Sequence, residues 1–326
     1  MSQQARRALR AWMLAALVAL PAVATPSAAQ TPAAAAPPAE SVARDSRVIY
    51  RIRPSEIDAS TRRVDDAHYV AFDRPAPDTP LVVFMSGTGG RPENMAPIIN
   101  FVADQGFRAL GVSYPTAQAV VQMCANAPDP DCSGDFRRKR IYGEGDFGLI
   151  DDTPDEAIVH RLTLLLRHLD RLHPDEGWAA YLNGDAPNWS RIIVTGQSQG
   201  AGMAAYIAKR ESVARAVLFS SPWDFSPGPT LAPWLQQPSA TPPERWFGVY
   251  HKDEAAADLL ARSYDQLGIP ADQIRVLDLD SGLIEVNQAR PNPYHTIGIR
   301  DPRMHDDWRR LFGSPRAGGS VASPPD

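Results

Sequence analysis

The chain has 326 residues, 44% hydrophobic and 22% charged, with a formal net charge of −5. That length suffices for one large domain with a substantial core, and the mildly acidic balance argues against a nucleic-acid partner. The one basic cluster, Arg137-Arg138-Lys139-Arg140, has no aromatic interleaving and no nucleic-acid motif around it, so it reads as a solvated loop.

Arg6, Arg7 and Arg10 precede an apolar run from Ala11 to about Ala24, followed by small residues at Ala22-Val23-Ala24 and Ser27-Ala28-Ala29. This pattern predicts an export signal over residues 1–29, cleaved at either small-residue site, and a periplasmic or secreted protein. The run is shorter than a bilayer requires and no second one approaches that length, so no stable membrane anchor is expected after cleavage. Residues 30–43, rich in Ala and Pro, read as a linker, residues 44–312 as one α/β domain, and residues 313–326, rich in Gly, Ser and Pro, as a disordered tail.

Within the domain, Val48 to Arg53 and His68 to Phe72 read as early strands, and the continuously apolar Leu81 to Met85 as a fully buried one. Ser86-Gly87-Thr88-Gly89-Gly90 follows. A helix from Pro92 to Asp104 and a strand from Phe107 to Val112 come next. Tyr114 to Ile150 reads as irregular and holds the only cysteines, Cys124 and Cys132, which an oxidising compartment would join in a disulfide. Two cysteines without nearby histidines do not suggest a metal site. Thr153-Pro154-Asp155-Glu156 is a capping box for a helix whose apolar face carries Ile158, Leu162, Leu165, Leu166, Leu169 and Leu172, with His160 and His168 turned to solvent. Beyond it lie apolar runs at Arg191 to Thr195, Ala214 to Ser220, Arg245 to Tyr250 and Ile274 to Leu279, with a helix from about Glu254 to Leu267. Repeated alternation predicts a mostly parallel central sheet with helices on both faces, and reactive groups at the strands' carboxyl ends.

Gly196-Gln197-Ser198-Gln199-Gly200 joins the strand ending at Thr195 to the small-residue helix that starts at Ala201. A turn this sharp forces Ser198 into a strained conformation with its hydroxyl pushed outward, and the flanking glycines let backbone pass without a Cβ clash. With the Gly-rich loop at 86–90 and acid and histidine candidates downstream, the chain from Leu81 to Phe312 resembles the α/β-hydrolase superfamily, in particular exported bacterial serine hydrolases with a G-x-S-Q-G elbow. The usual His-Gly of the first loop is Ser86-Gly87 here. The resemblance implies an α/β-hydrolase fold, Ser198 as nucleophile, and an acid and then a histidine later in the chain.

A serine hydroxyl needs a base, and the base a carboxylate to orient it. The family order leaves His251, His295 and His305. His295, in the loop beyond the last strand, is favoured; His305 opens the final helix, and His251 sits where the acid is expected. Asp253, at the end of the penultimate strand, is the first choice of acid, with Asp224 and Glu254 as alternatives. The backbone N–H of Gln199, with that of Thr88 or Gly89, would form the oxyanion hole. The Gly-rich loop lacks the Lys and Ser/Thr of a phosphate-cradling loop. Tyr114, Trp223, Phe225, Trp234 and Tyr294 fall on loops at the same edge and are candidates for lining a pocket. The expected substrate is a small ester, cleaved without cofactor or metal. Amide cleavage and acyl transfer share the same intermediate, and a non-catalytic binding protein on this fold is the alternative from another class.

Overall fold

A computed structural model describes residues 46–61, 63–74, 78–225, 230–280 and 293–315. The expected signal and linker, and the tail from residue 316 onward, lie outside the described residues. The strands of the main sheet are β1 (Arg47–Ile52), β2 (His68–Asp73), β3 (Leu81–Met85), β4 (Arg108–Gly111), β5 (Ile192–Gln197), β6 (Arg215–Phe219), β7 (Trp246–His251) and β8 (Ile274–Leu277). They form one eight-stranded sheet in the order β1-β2-β4-β3-β5-β6-β7-β8. Only β2 runs antiparallel to its neighbours; every pair from β4 through β8 is parallel.

The main helices are α1 (Ala96–Asp104), α2 (Cys132–Tyr142), α3 (Ile158–Leu172), α4 (Gln199–Arg210), α5 (Ala257–Gln266) and α6 (His305–Phe312). Side chains alternate across β3, so Leu81, Val83 and Met85 join the core beneath α2, α3 and α4, while Val82 and Phe84 join the core beneath α1 and α6. A strand covered on both faces must be apolar throughout, which is why Leu81 to Met85 is legible as buried. Where α3 packs, Ile158, Leu162, Leu165, Leu166 and Leu169 are fully buried, but Leu172 is 54% exposed at the helix end.

At the edges, β1 carries Arg47, paired with Asp73 and Asp104, and Arg51, paired with Glu93. The other edge, β8, carries Arg275, paired with Asp307 of α6.

Several expectations change in detail. The Thr153 capping box is present, Glu156 Oε2 accepting from the Thr153 N–H at 3.0 Å, but it closes a 3-10 turn; Ala157 is extended and α3 starts at Ile158. His160 is exposed as expected, whereas His168 is buried beside Arg171.

The larger correction concerns 114–150, which contains a short helix at Val120–Met123 and all of α2. The basic cluster is not a solvated loop. Arg137 and Arg140, three apart on one face of α2, are fully buried, each in a two-bond ion pair: Arg137 with Asp224 (2.7 and 2.8 Å), Arg140 with Asp152 (2.7 and 3.1 Å). A guanidinium tolerates such burial because a carboxylate matches its planar fork and its hydration is weak. Arg138 turns back to Asp135, and Lys139 Nζ donates to Phe147 O and Ile150 O. Cys124 and Cys132 form the disulfide, Cα atoms 5.7 Å apart, tying the end of the short helix to the first residue of α2.

His68, at the start of β2, is fully buried and accepts the Ser113 N–H at Nδ1 (3.0 Å). Burial, with Arg161 nearby, pushes it down from 6.5 to about 3. Because the folded imidazole resists a proton that the unfolded chain accepts, stability should fall as pH drops below about 6.5, by about 2 kcal/mol at pH 4.5. Thermal melts at the two pH values should therefore differ less for His68→Gln than for the parent; an unchanged difference would remove His68 from the account of acid sensitivity.

Candidate active site

Ser198 is the single residue between β5 and α4, and its backbone sits at φ 55°, ψ −129°. Only glycine adopts such a conformation freely, so the surrounding packing must impose it. The cause is visible at the neighbouring glycines. A Cβ on Gly200 would lie 2.0 Å from Met85 O, and one on Gly196 2.6 Å from the same oxygen. The elbow is pressed against the end of β3, whose Met85 is in register with Gly196. The Ser198 N–H donates to Phe219 O (2.9 Å), anchoring the turn to β6.

The Gly-rich loop lies alongside, since a Cβ on Gly87 would come within 3.1 Å of Ser198 Cβ. Of the two expected donors here, Gly89 is already engaged: its N–H donates to Thr116 O at 2.9 Å, and that of Gly90 to Gly87 O. Thr88 is exposed, and no acceptor among the described residues takes its N–H. Gln199, first residue of α4, has an N–H with no acceptor inside the helix. Thr88 and Gln199 are thus the two of the three expected donors whose N–H groups have no acceptor among the described residues.

His295 lies in a 3-10 turn, Pro293–Thr296, held to the elbow by Gln197 Nε2 donating to His295 O at 3.0 Å. Its Nδ1 is 2.8 Å from Glu254 Oε2. Against a carboxylate, Nδ1 is the donor, the arrangement that in a neutral imidazole leaves the lone pair on Nε2. Glu254 is 4% exposed, and its Oε1 accepts from Ser220 Oγ (2.6 Å) and from the His251 N–H (2.9 Å).

Of the two adjacent carboxylates, the first-choice Asp253 does not meet His295, whereas its neighbour Glu254 does. β7 ends at His251, and the turn that follows sends the Asp253 side chain out, 52% exposed, while the longer Glu254 side chain reaches inward. Asp224 is held elsewhere, by Arg137 and by Trp234 Nε1 at 3.0 Å. His305 is exposed at the start of α6, its ring stacked on Phe101. His251 is a buried brace: Nδ1 accepts the Asp253 N–H, Nε2 meets Leu279 O at 2.8 Å, and the ring stacks on Tyr294. Most of the other loop aromatics also serve packing. Tyr114 OH donates to Ser86 O beneath the Gly-rich loop, Trp234 packs on Tyr206, and Phe225 lies under Arg262. Trp223 stacks on His295 itself, with centroids 5.6 Å apart and planes within 4°.

A cavity of about 230 Å³ opens beside the loop, lined by Thr88, Asn94, Gln197, Thr296 and Arg300 among others. Among the described residues, no group of three or more His, Cys, Asp or Glu side chains could hold a metal.

No protein-family model matches the chain, and neither does any curated protein. Solved structures do resemble it. Esterase B from Lactobacillus rhamnosis is 13% identical with a TM-score of 0.49, over 82% of this chain and 84% of that one. An esterase of the bacterial hormone-sensitive lipase family is 17% identical with a TM-score of 0.45, over 82% and 86%. A dienelactone hydrolase from Klebsiella pneumoniae is 14% identical with a TM-score of 0.38, over 72% and 85%. The strand order, the antiparallel second strand and the strand–elbow–helix at Ser198 are those of the α/β-hydrolase fold, which this chain adopts.

If contact with β3 imposes the elbow, Gly200→Ala should cost about 1 to 3 kcal/mol, far above an ordinary helical Gly→Ala change, because backbone at 2.0 Å cannot move aside as a side chain would. A denaturant titration measures it, and a neutral or stabilising result would contradict the packing.

Proposed function

We propose that the protein is a serine hydrolase, most simply a carboxylic ester hydrolase, acting through an acyl-enzyme on Ser198. The observation that carries this reading is the His295–Glu254 pair, anchored on Glu254 by two further donors and joined by Gln197 to the strained turn that presents Ser198.

In this mechanism His295 Nε2 takes the Ser198 proton as Oγ attacks the carbonyl carbon. The tetrahedral oxyanion accepts hydrogen bonds from the N–H groups of Gln199 and Thr88. On collapse, His295 returns the proton to the leaving alcohol. Water, deprotonated by the same nitrogen, then attacks the acyl-enzyme and frees the acid and Ser198. Glu254 stabilises the imidazolium formed in each half and keeps Nδ1 as the protonated nitrogen. A preorganised oxyanion donor of this kind contributes about 3 to 4 kcal/mol of barrier lowering. We take the substrate to be a small ester, expect no nucleic-acid partner from the charge balance, and assign the protein to the periplasm or the outside of the cell on its N-terminal sequence pattern. The Cys124–Cys132 bond is compatible with that compartment.

A fluorophosphonate probe should label the mature protein at Ser198, and Ser198→Ala should abolish labelling; folded protein that resists the probe would point to a non-catalytic binding role. The acid assignment separates two adjacent residues. Glu254→Gln should lower kcat about a thousandfold or more, as loss of a triad carboxylate does elsewhere, whereas Asp253→Asn should stay within a few-fold of the parent in the same ester assay. The reverse ranking would reinstate Asp253.

A further inference from the structure

Resting on the serine-hydrolase reading, we propose that Trp223 is a positioning residue for His295, and that the buried Arg137–Asp224 pair holds it in place. Glu254 fixes His295 at Nδ1 and Gln197 fixes its backbone carbonyl. Neither contact sets the plane of the ring, which remains able to turn about the Nδ1···Oε2 line and so re-aim the Nε2 that this reading assigns as the base. The indole of Trp223, parallel to the imidazole within 4°, supplies that missing restraint.

A loop tryptophan serves this purpose only if its own backbone is fixed. The next residue, Asp224, is fully buried and takes three hydrogen bonds, two from Arg137 and one from Trp234 Nε1. Arg137 Nη1 also reaches Gln199 O at 3.4 Å, at the first residue of the elbow helix. One guanidinium therefore ties the loop that backs the base to the turn that presents the nucleophile. Its place beside α4 depends on Gly202, where a Cβ would lie 2.3 Å from Arg137 Nη2.

The test is steady-state hydrolysis of an activated ester such as p-nitrophenyl butyrate, with fluorophosphonate labelling rates alongside. Trp223→Ala should lower kcat about tenfold and slow labelling similarly, with KM within about twofold, and Trp223→Phe should restore most of the loss because it keeps an aromatic face. Removing one member of the buried pair risks unfolding, so both charges are removed together in Arg137→Met/Asp224→Leu. That double variant should show the same kcat loss, and adding Trp223→Ala to it should cost little more. A raised KM at unchanged kcat in Trp223→Ala would make Trp223 a substrate-pocket wall and overturn the proposal, as would failure of Trp223→Phe to recover activity. If the parent protein neither turns over ester nor accepts the probe, the serine-hydrolase reading fails and this inference falls with it.

Discussion

The approach of β5 to the carboxyl end of β3 governs the site. Two backbones meet there at a separation that excludes even a methyl group, with Met85 O where a Cβ of Gly196 or Gly200 would be. Because neither strand can shift within a sheet buried on both faces, the chain must reverse in one residue, and the strain falls on Ser198. From that constraint follow the helix that starts at once with Gln199 and the nearness of Gly87, which brings the loop after β3 beside Ser198. Strand register then supplies the remainder, since β6, β7 and β8 end beside one another and place Ser220, Glu254 and Leu279 around the histidine turn.

Electrostatics operates here mainly through buried pairs. Charges at Arg137, Asp224, Arg140 and Asp152 lie in the interior, where each would be costly alone and is tolerable when matched by two well-directed hydrogen bonds. Such pairs add little net stability over an apolar core, but they have one geometry, whereas leucines in their place could slide. Trp234 adds its face to Arg137 at 5.4 Å and its N–H to Asp224, so the pair is bounded on more than one side. The disulfide at the start of α2 acts on the same helix from outside.

How far the sequence could be read depended on whether the deciding contacts were local. β3 is an unbroken apolar run and the elbow a pentapeptide between a strand and a helix, so both are visible in a few consecutive residues. The carboxylate that meets His295 is different. Whether residue 253 or 254 faces inward turns on how the chain leaves β7, and two adjacent carboxylates carry no sign of it. Asp224 stayed a candidate because its partner Arg137 lies 87 positions away. The three-residue spacing of Arg137 and Arg140 was a usable sign of one helical face, hidden by reading the cluster as a run of charge. Gly89 fits a donor by its place in the loop, but Thr116 O takes its N–H, a contact no local pattern reports.

The two ends of the sheet bear on how this protein behaves when concentrated. An unpaired strand offers a row of N–H and C=O groups to any other chain, and among the described residues both β1 and β8 are such strands, with Ile49 and Val276 partly exposed. Each edge, however, carries arginines drawn sideways to carboxylates on neighbouring elements: Arg47 and Arg51 on β1, Arg275 on β8. A second molecule adding a strand at either end would have to displace these ion pairs and bring its own edge against fixed positive charge. Resistance to edge-to-edge aggregation is thereby placed in the same side chains that fasten the outermost strands to the rest of the domain.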